Sequence, residues 1–245
     1  MTHVDQPGTA EAPARPAVPD GADALVSRVG GHLRAPRAAG VAGLAFAALF
    51  TMALALLGSS PVASADPADL AALPAGDVTA TFVAAFYLVP FAGIAFLWFV
   101  AVARDQVDDR EDRFFATILT GSGTIFVAIL FVAAAVASAV TLGVRYLGDT
   151  APAPDQVRLV RAICYALLFI FGSRAAGVFL ISFSTIAVRT RALPRWLAAS
   201  GFLLGLVLMF VVTIWEWVVL VLPVWVAIVS VAILVMERRA GSRRA

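Results

Sequence analysis

The sequence predicts an all-α integral membrane bundle of six transmembrane helices, with the N-terminus and the C-terminus cytoplasmic. Three observations predict it. Hydrophobic residues make up 61% of the 245 and charged residues only 14%, where a soluble domain carries about 25% charged residues. The charges stand in clusters at the edges of long apolar runs. The arginines are divided unevenly between alternate clusters. A chain with a mean hydropathy of +0.93 cannot cover itself with polar surface, so part of its solvent is lipid.

Residues 1–37 are rich in Ala, Pro, Gly and Asp and lack a sustained apolar period, as expected of a disordered cytoplasmic tail with at most a short amphipathic turn near Leu25–Leu33. A six-helix transmembrane domain is expected over 38–237, with spans at about 38–59, 79–103, 114–144, 159–188, 194–214 and 217–236. A crossing needs roughly 20 residues at 1.5 Å rise each. Pro194–Met236, 43 residues long, therefore holds two spans, turning at Trp215-Glu216-Trp217, where two indoles flank a charge at headgroup level. The third and fourth runs are longer than one perpendicular crossing and must tilt, kink or project. Residues 238–245 form a basic tail.

Orientation follows from the arginines, which supply all 18 basic residues. Fourteen stand before the first span, between spans two and three, between spans four and five, and at the C-terminus; the opposite side has Arg145, Arg158 and Arg161. The loop 60–78 has three Asp and no Arg. The positive-inside rule places both termini in the cytoplasm, in accord with an even span number. Ala63-Ser64-Ala65 follows the first span as an A-x-A pattern open to signal peptidase. The apolar run before it is longer than a signal h-region, so retention is expected over cleavage. Arginine without lysine, with abundant Ala and Val, hints at a high-GC bacterial genome and hence a bacterial plasma membrane.

Arg174 is the residue whose chemistry is most out of place. It lies inside the fourth span, in Phe171-Gly172-Ser173-Arg174-Ala175-Ala176-Gly177, too deep to reach either surface with ease. A charge at the bilayer centre costs about 2.5–3.5 kcal/mol on insertion scales, so it needs a partner. Two readings stay open: a binding site for a small anion or lipid headgroup with Ser173 and Glu216, or a structural arginine bonded to Glu216 and to carbonyls freed by Pro90 or Pro223. Gly172/Ala176 and Ser173/Gly177 are small-xxx-small pairs that let another helix approach. The same is expected of Gly201-x-x-x-Gly205 in the fifth span, and of the small face Thr117, Thr120, Gly121, Thr124, Ala128 and Ala135 in the third. A polar pore lining is the alternative for the Thr117–Gly121–Thr124 face. Pro90 removes a hydrogen bond to Phe86 and predicts a kink in the second span.

Asp108, Asp109 and Asp112 fit a D-D-x-x-D spacing that suits a hard divalent metal. One copy stands alone, and Arg104/Asp108 and Asp109/Arg113 already match at i,i+4, so a solvated, self-paired loop is the expected reading. Both histidines, His3 and His32, fall in the tail, and no nucleophile elbow, P-loop or C-x-x-C occurs. No cofactor is expected. The net charge of +2 and the absence of a basic stripe argue against a nucleic-acid partner. Cys164 is the single cysteine and can form no intrachain disulfide.

Phe96-Leu97-Trp98-Phe99, Arg104-Asp105 and Arg110-Glu111-Asp112-Arg113-Phe114-Phe115-Ala116-Thr117 form one stretch. Ser184-Thr185-Ile186, Arg189-Thr190 and Leu193-Pro194-Arg195-Trp196-Leu197 form a second. With Arg174, these resemble a group of uncharacterised multi-span membrane proteins from high-GC Gram-positive bacteria. The resemblance covers Ala38 to about Met236 and implies topology and origin, not activity. Three functional classes follow: binding or transport of a lipid or small anion; a non-catalytic partner subunit, in a homo-oligomer or with another membrane protein; and a metal-dependent lipid-phosphate enzyme, the least favoured. The lipid bilayer is the one partner common to all three.

Overall fold

In a computed structural model the described residues are 36–58, 79–104, 112–147, 152–191, 193–210 and 216–242. Their regular structure is helical throughout. Helix α1 is Pro36–Gly58. Helix α2 (Thr79–Phe82) continues through a π-helical segment, Val83–Leu88, into α3 (Val89–Arg104). Helix α4 is Asp112–Tyr146; α5 (Pro154–Tyr165) runs through a second π segment, Ala166–Gly172, into α6 (Ser173–Arg189). Helix α7 is Arg195–Phe210, and a 3₁₀ turn, Glu216–Leu220, leads into α8 (Val221–Ser242).

Five of these helices are long and apolar enough to cross a membrane: Arg37–Gly58, Ala80–Arg104, Phe114–Tyr146, Pro154–Arg189 and Val218–Arg239. The expected fifth span is shorter, since α7 is a 16-residue apolar helix, about 24 Å long at 1.5 Å per residue. Residues 211–215, which include Trp215 of the expected Trp215–Trp217 turn, lie outside the described residues.

The long spans are broken where backbone hydrogen bonding changes. Pro90 has no N–H to give Phe86, and the turn before it widens: the Val89 N–H bonds the Ala84 carbonyl, five residues back. The π segment thus lies at the turn where Pro90 predicts a kink. Helix α5 begins before the apolar run does, at Asp155 and Arg158. Pro154 needs no N–H in a first turn, and the Ala153 N–H is met by the Gln156 side chain at 3.2 Å.

A column of aromatic rings fills the centre. Phe96 lies with its centroid 4.6 Å from Phe46, 5.3 Å from Phe126 and 4.9 Å from Phe179. Phe183 stacks on Phe99 at 5.6 Å and meets Trp225 edge-on at 5.4 Å. Rings from α1, α3, α4, α6 and α8 thus share one core. Lipid tails are as apolar as these side chains, so contact area and shape hold the helices together more than escape from water does. Glycines set the closest approach. A Cβ on Gly177 of α6 would stand 2.8 Å from the Gly205 carbonyl oxygen of α7, and one on Gly205 would stand 2.8 Å from the Gly177 oxygen. Gly201 takes the edge of Trp225, whose indole N–H donates to Ser200 Oγ at 3.3 Å and ties α7 to α8.

The outer surface is apolar. Trp98, Phe91, Ile125, Leu203 and Phe210 are all exposed, in a belt that only acyl chains can solvate. Two contacts join arginines at helix ends. Arg37 Nε reaches Glu237 Oε2 at 3.1 Å, linking the start of α1 to the end of α8. The Arg189 guanidinium lies 5.0 Å over the Phe115 ring, linking the end of α6 to the start of α4.

Candidate functional site

Helix α5 and the second π segment present a stripe of paired residues on successive turns: Val160 with Arg161, Cys164 with Tyr165, and Leu168 with Phe169. Opposite them, α4 offers Leu130, Ala133, Ala134 and Ala137, at i, i+3, i+4 and i+7 on one face. The end of α1, from Phe50 to Gly58, closes one side, with Thr81, Val89, Val219 and Leu220 completing the wall. Between them is a cavity of about 630 Å³, within the range of small-molecule sites, about 300–1,000 Å³. It exists because tall neighbours face short ones: Ala53, Ala55, Ala133, Ala134 and Ala137 leave space that larger side chains would fill. It occupies the half of the bundle away from the Arg37–Glu237 pair.

The polar groups of this wall are graded along α5. Arg161, exposed, is the charged residue of the described lining. Its neighbour Arg158 pairs with Asp155 at 3.3 Å; Arg161 has no such partner among the described residues. One turn further, Cys164 Sγ donates weakly to the Ala133 carbonyl at 3.6 Å. The Tyr165 ring stacks on Phe169 with centroids 4.3 Å apart, and its hydroxyl is buried without a hydrogen-bond partner among the described residues. Another turn on, Leu168 and Phe169 are purely apolar. Along α5 the wall thus runs from a charge at Arg161, through the Cys164–Tyr165 turn, to hydrocarbon at Leu168 and Phe169.

The second π segment shapes the same wall, and no proline accounts for it. The Ser173 N–H bonds Leu168 O, five residues back. Ser173 Oγ donates to Phe169 O at 2.6 Å and Ile170 O at 3.2 Å, while Arg174 Nη1 donates to Ile170 O at 2.8 Å. Widening the turn leaves carbonyl lone pairs that these two side chains meet. Arg174 is half-buried and does not line the cavity. Its hydrogen bond goes to its own helix. Glu216 opens the 3₁₀ turn, but its side chain lies outside the described residues.

The remaining sequence candidates fall in other places. Gly172, Gly177, Gly201 and Gly205 are buried, Gly177 and Gly205 against each other. Thr117, Gly121 and Thr124 face outward, and a Cβ on Gly121 would meet no atom within 4 Å. Within the bundle α4 packs through the adjacent face instead, with Ala116, Leu119, Gly123, Phe126 and Val127. The face with the hydroxyls turns outward, whereas the face on the aromatic core carries Leu119, Phe126 and Val127 with small residues between them. Asp108 and Asp109 lie outside the described residues, and of Asp112 only its backbone, at the start of α4, is described.

The fold and cavity define a multi-span helical membrane protein whose surface contacts lipid. No protein family, curated protein or solved structure matches the chain.

Proposed function

We propose that this protein is a six-span bacterial plasma-membrane protein with cytoplasmic termini that binds an anionic amphiphilic lipid in the α1–α4–α5 cavity, with Arg161 holding the headgroup. The observation that carries the reading is the cavity itself: about 630 Å³ of mostly hydrocarbon-lined space with a single lining charge, unpartnered among the described residues, two turns from its purely apolar part. A methylene takes about the volume of a water molecule, about 30 Å³, so an acyl chain of ordinary length fits. Arginine suits a phosphate or carboxylate through its planar donor fork. The arginine distribution supports cytoplasmic termini and, with them, a cavity that opens toward the outer leaflet. In this reading Arg174 is a structural residue.

Thermal stability in mild detergent tests it, because a ligand that binds only the folded state stabilises by mass action. Lysophosphatidate should raise the melting temperature in a dose-dependent way, an uncharged monoacylglycerol should do so much less, and Arg161→Gln should erase the difference. Equal stabilisation by both lipids in the wild type would refute the headgroup role. The outward Thr117–Gly121–Thr124 face of α4 favours a second reading, a partner subunit that receives a helix of a second copy or of another membrane protein there. Crosslinking from Gly121→Cys in native membranes tests it: a specific crosslinked product supports this reading, and none removes it.

A further inference from the structure

The cavity wall is closed on one side and open on the other. Its alanines Ala53, Ala133 and Ala134 are buried, whereas the exposed lining residues are Thr51, Ala55 and Gly58 of α1 and Arg161 of α5. Thr51, Ala55 and Gly58 stand at i, i+4 and i+7, so they form one stripe of small residues along α1, about 10 Å long at 1.5 Å per residue. The chief neighbours of α1 are the α2–α3 helix and α8, and that of α5 is α4. The stripe therefore borders a gap between α1 and α5. Met52, beside it in the same span, is 55% exposed, so the medium outside the gap is hydrocarbon. Among the described residues, the cavity is thus a slot open lengthwise to the bilayer.

Volume and opening together select the ligand. At about 30 Å³ per methylene, a cavity of about 630 Å³ takes one acyl chain of ordinary length and is too small for two. Closed all round, it would admit monoacyl lipids alone. A lengthwise slot removes that restriction, because a second chain on the same glycerol can stay outside it. We propose that the site binds a diacyl anionic phospholipid astride this slot, with one chain in the cavity and the other in the bilayer along Thr51, Ala55 and Gly58. Arg161 holds the phosphate on the same open side. Ala55, midway along the stripe, is the residue that decides whether a second chain is accepted. The outer chain exchanges one hydrocarbon environment for another and adds little affinity; the slot makes room for it without attracting it. The inference rests on the lipid-binding reading above.

The test compares dissociation constants, in the full-length protein in micelles, for dioleoyl phosphatidate and 1-oleoyl lysophosphatidate. Wild type should bind the two within about tenfold of each other, since the outer chain is nearly neutral. Arg161→Gln should weaken both alike. Ala55→Phe places a ring in the slot at an exposed position, and the ratio of diacyl to monoacyl affinity should fall by about tenfold or more, however far the ring's own bulk weakens either lipid. If wild type rejects the diacyl lipid by more than about tenfold while Arg161→Gln still weakens lysophosphatidate, the slot inference is overturned and the lipid reading stands. An unchanged ratio in Ala55→Phe also overturns it. Absence of any Arg161-dependent binding overturns the lipid reading and this inference with it. The wild-type comparison decides the matter even if a variant fails to fold.

Discussion

Replacing glycines with alanine at three positions should give opposite signs, and the magnitudes follow from the space at each. Helix interiors favour alanine over glycine by roughly 0.5–1 kcal/mol, so an unhindered substitution stabilises. Gly121 is such a position: a new Cβ meets nothing within 4 Å. Gly121→Ala should therefore stabilise the isolated protein by up to about 1 kcal/mol. At Gly177 the same methyl would come within 2.8 Å of the Gly205 oxygen and 3.3 Å of the Met209 nitrogen, both backbone atoms that cannot rotate away. The α6–α7 pair must then separate by roughly half an ångström along its contact, and overpacking of this kind costs about 1–3 kcal/mol. Gly177→Ala and Gly205→Ala should each destabilise by that order. Their double variant should fall short of the sum, since the first substitution already parts the helices. Reversible unfolding in mixed micelles, followed by tryptophan fluorescence, reads all four. Neutral effects at 177 and 205 would refute the close approach of α6 and α7. Loss of stability at 121 would show that this face is occupied in the folded protein.

Other expectations concern charge and the reporter thiol. Arg174 is bonded to a carbonyl of its own helix, so Arg174→Leu should change stability by no more than about 1 kcal/mol; a loss of about 3–5 kcal/mol would mean it holds a buried carboxylate. The Arg37–Glu237 pair is largely exposed on the arginine side. Arg37→Ala should cost under about 1 kcal/mol and less still at high salt, by the same unfolding assay. Cys164, the only thiol, lines the cavity, so added lysophosphatidate should slow its reaction with N-ethylmaleimide several-fold; an unchanged rate would place the lipid elsewhere.

Helical spans were legible because hydrophobicity over some twenty residues is a long-range average that tolerates local error. Thr79–Arg104 and the long third helix stand close to where the apolar runs put them. Boundaries failed where a helix is polar: hydropathy begins α5 at Leu159, whereas Pro154 and Gln156 start it a turn earlier. Pro90 predicts a break in the second span, though not that the turn before it widens into a π segment; nothing comparable marks the second π segment, which has no proline and is recognisable only once Ser173 and Arg174 are seen bonding back to Phe169 and Ile170. Arg174 stands out in the sequence because depth along the chain is visible in one dimension. Arg161 looked like an ordinary end-of-helix charge. Its neighbourhood depends on which helix stands opposite, and the alanines of α1 and α4 that open the cavity carry no periodic signal of their own. A stripe such as Val160/Arg161, Cys164/Tyr165, Leu168/Phe169 could have been noticed, but its meaning requires the facing helices.

Native mass spectrometry of the protein extracted from membranes in mild detergent tests the central claim most directly. The wild type and Arg174→Gln should each carry one anionic phospholipid that survives gentle activation, and Arg161→Gln should emerge without it. Retention of that lipid by Arg161→Gln, or its loss from Arg174→Gln alone, would contradict the account.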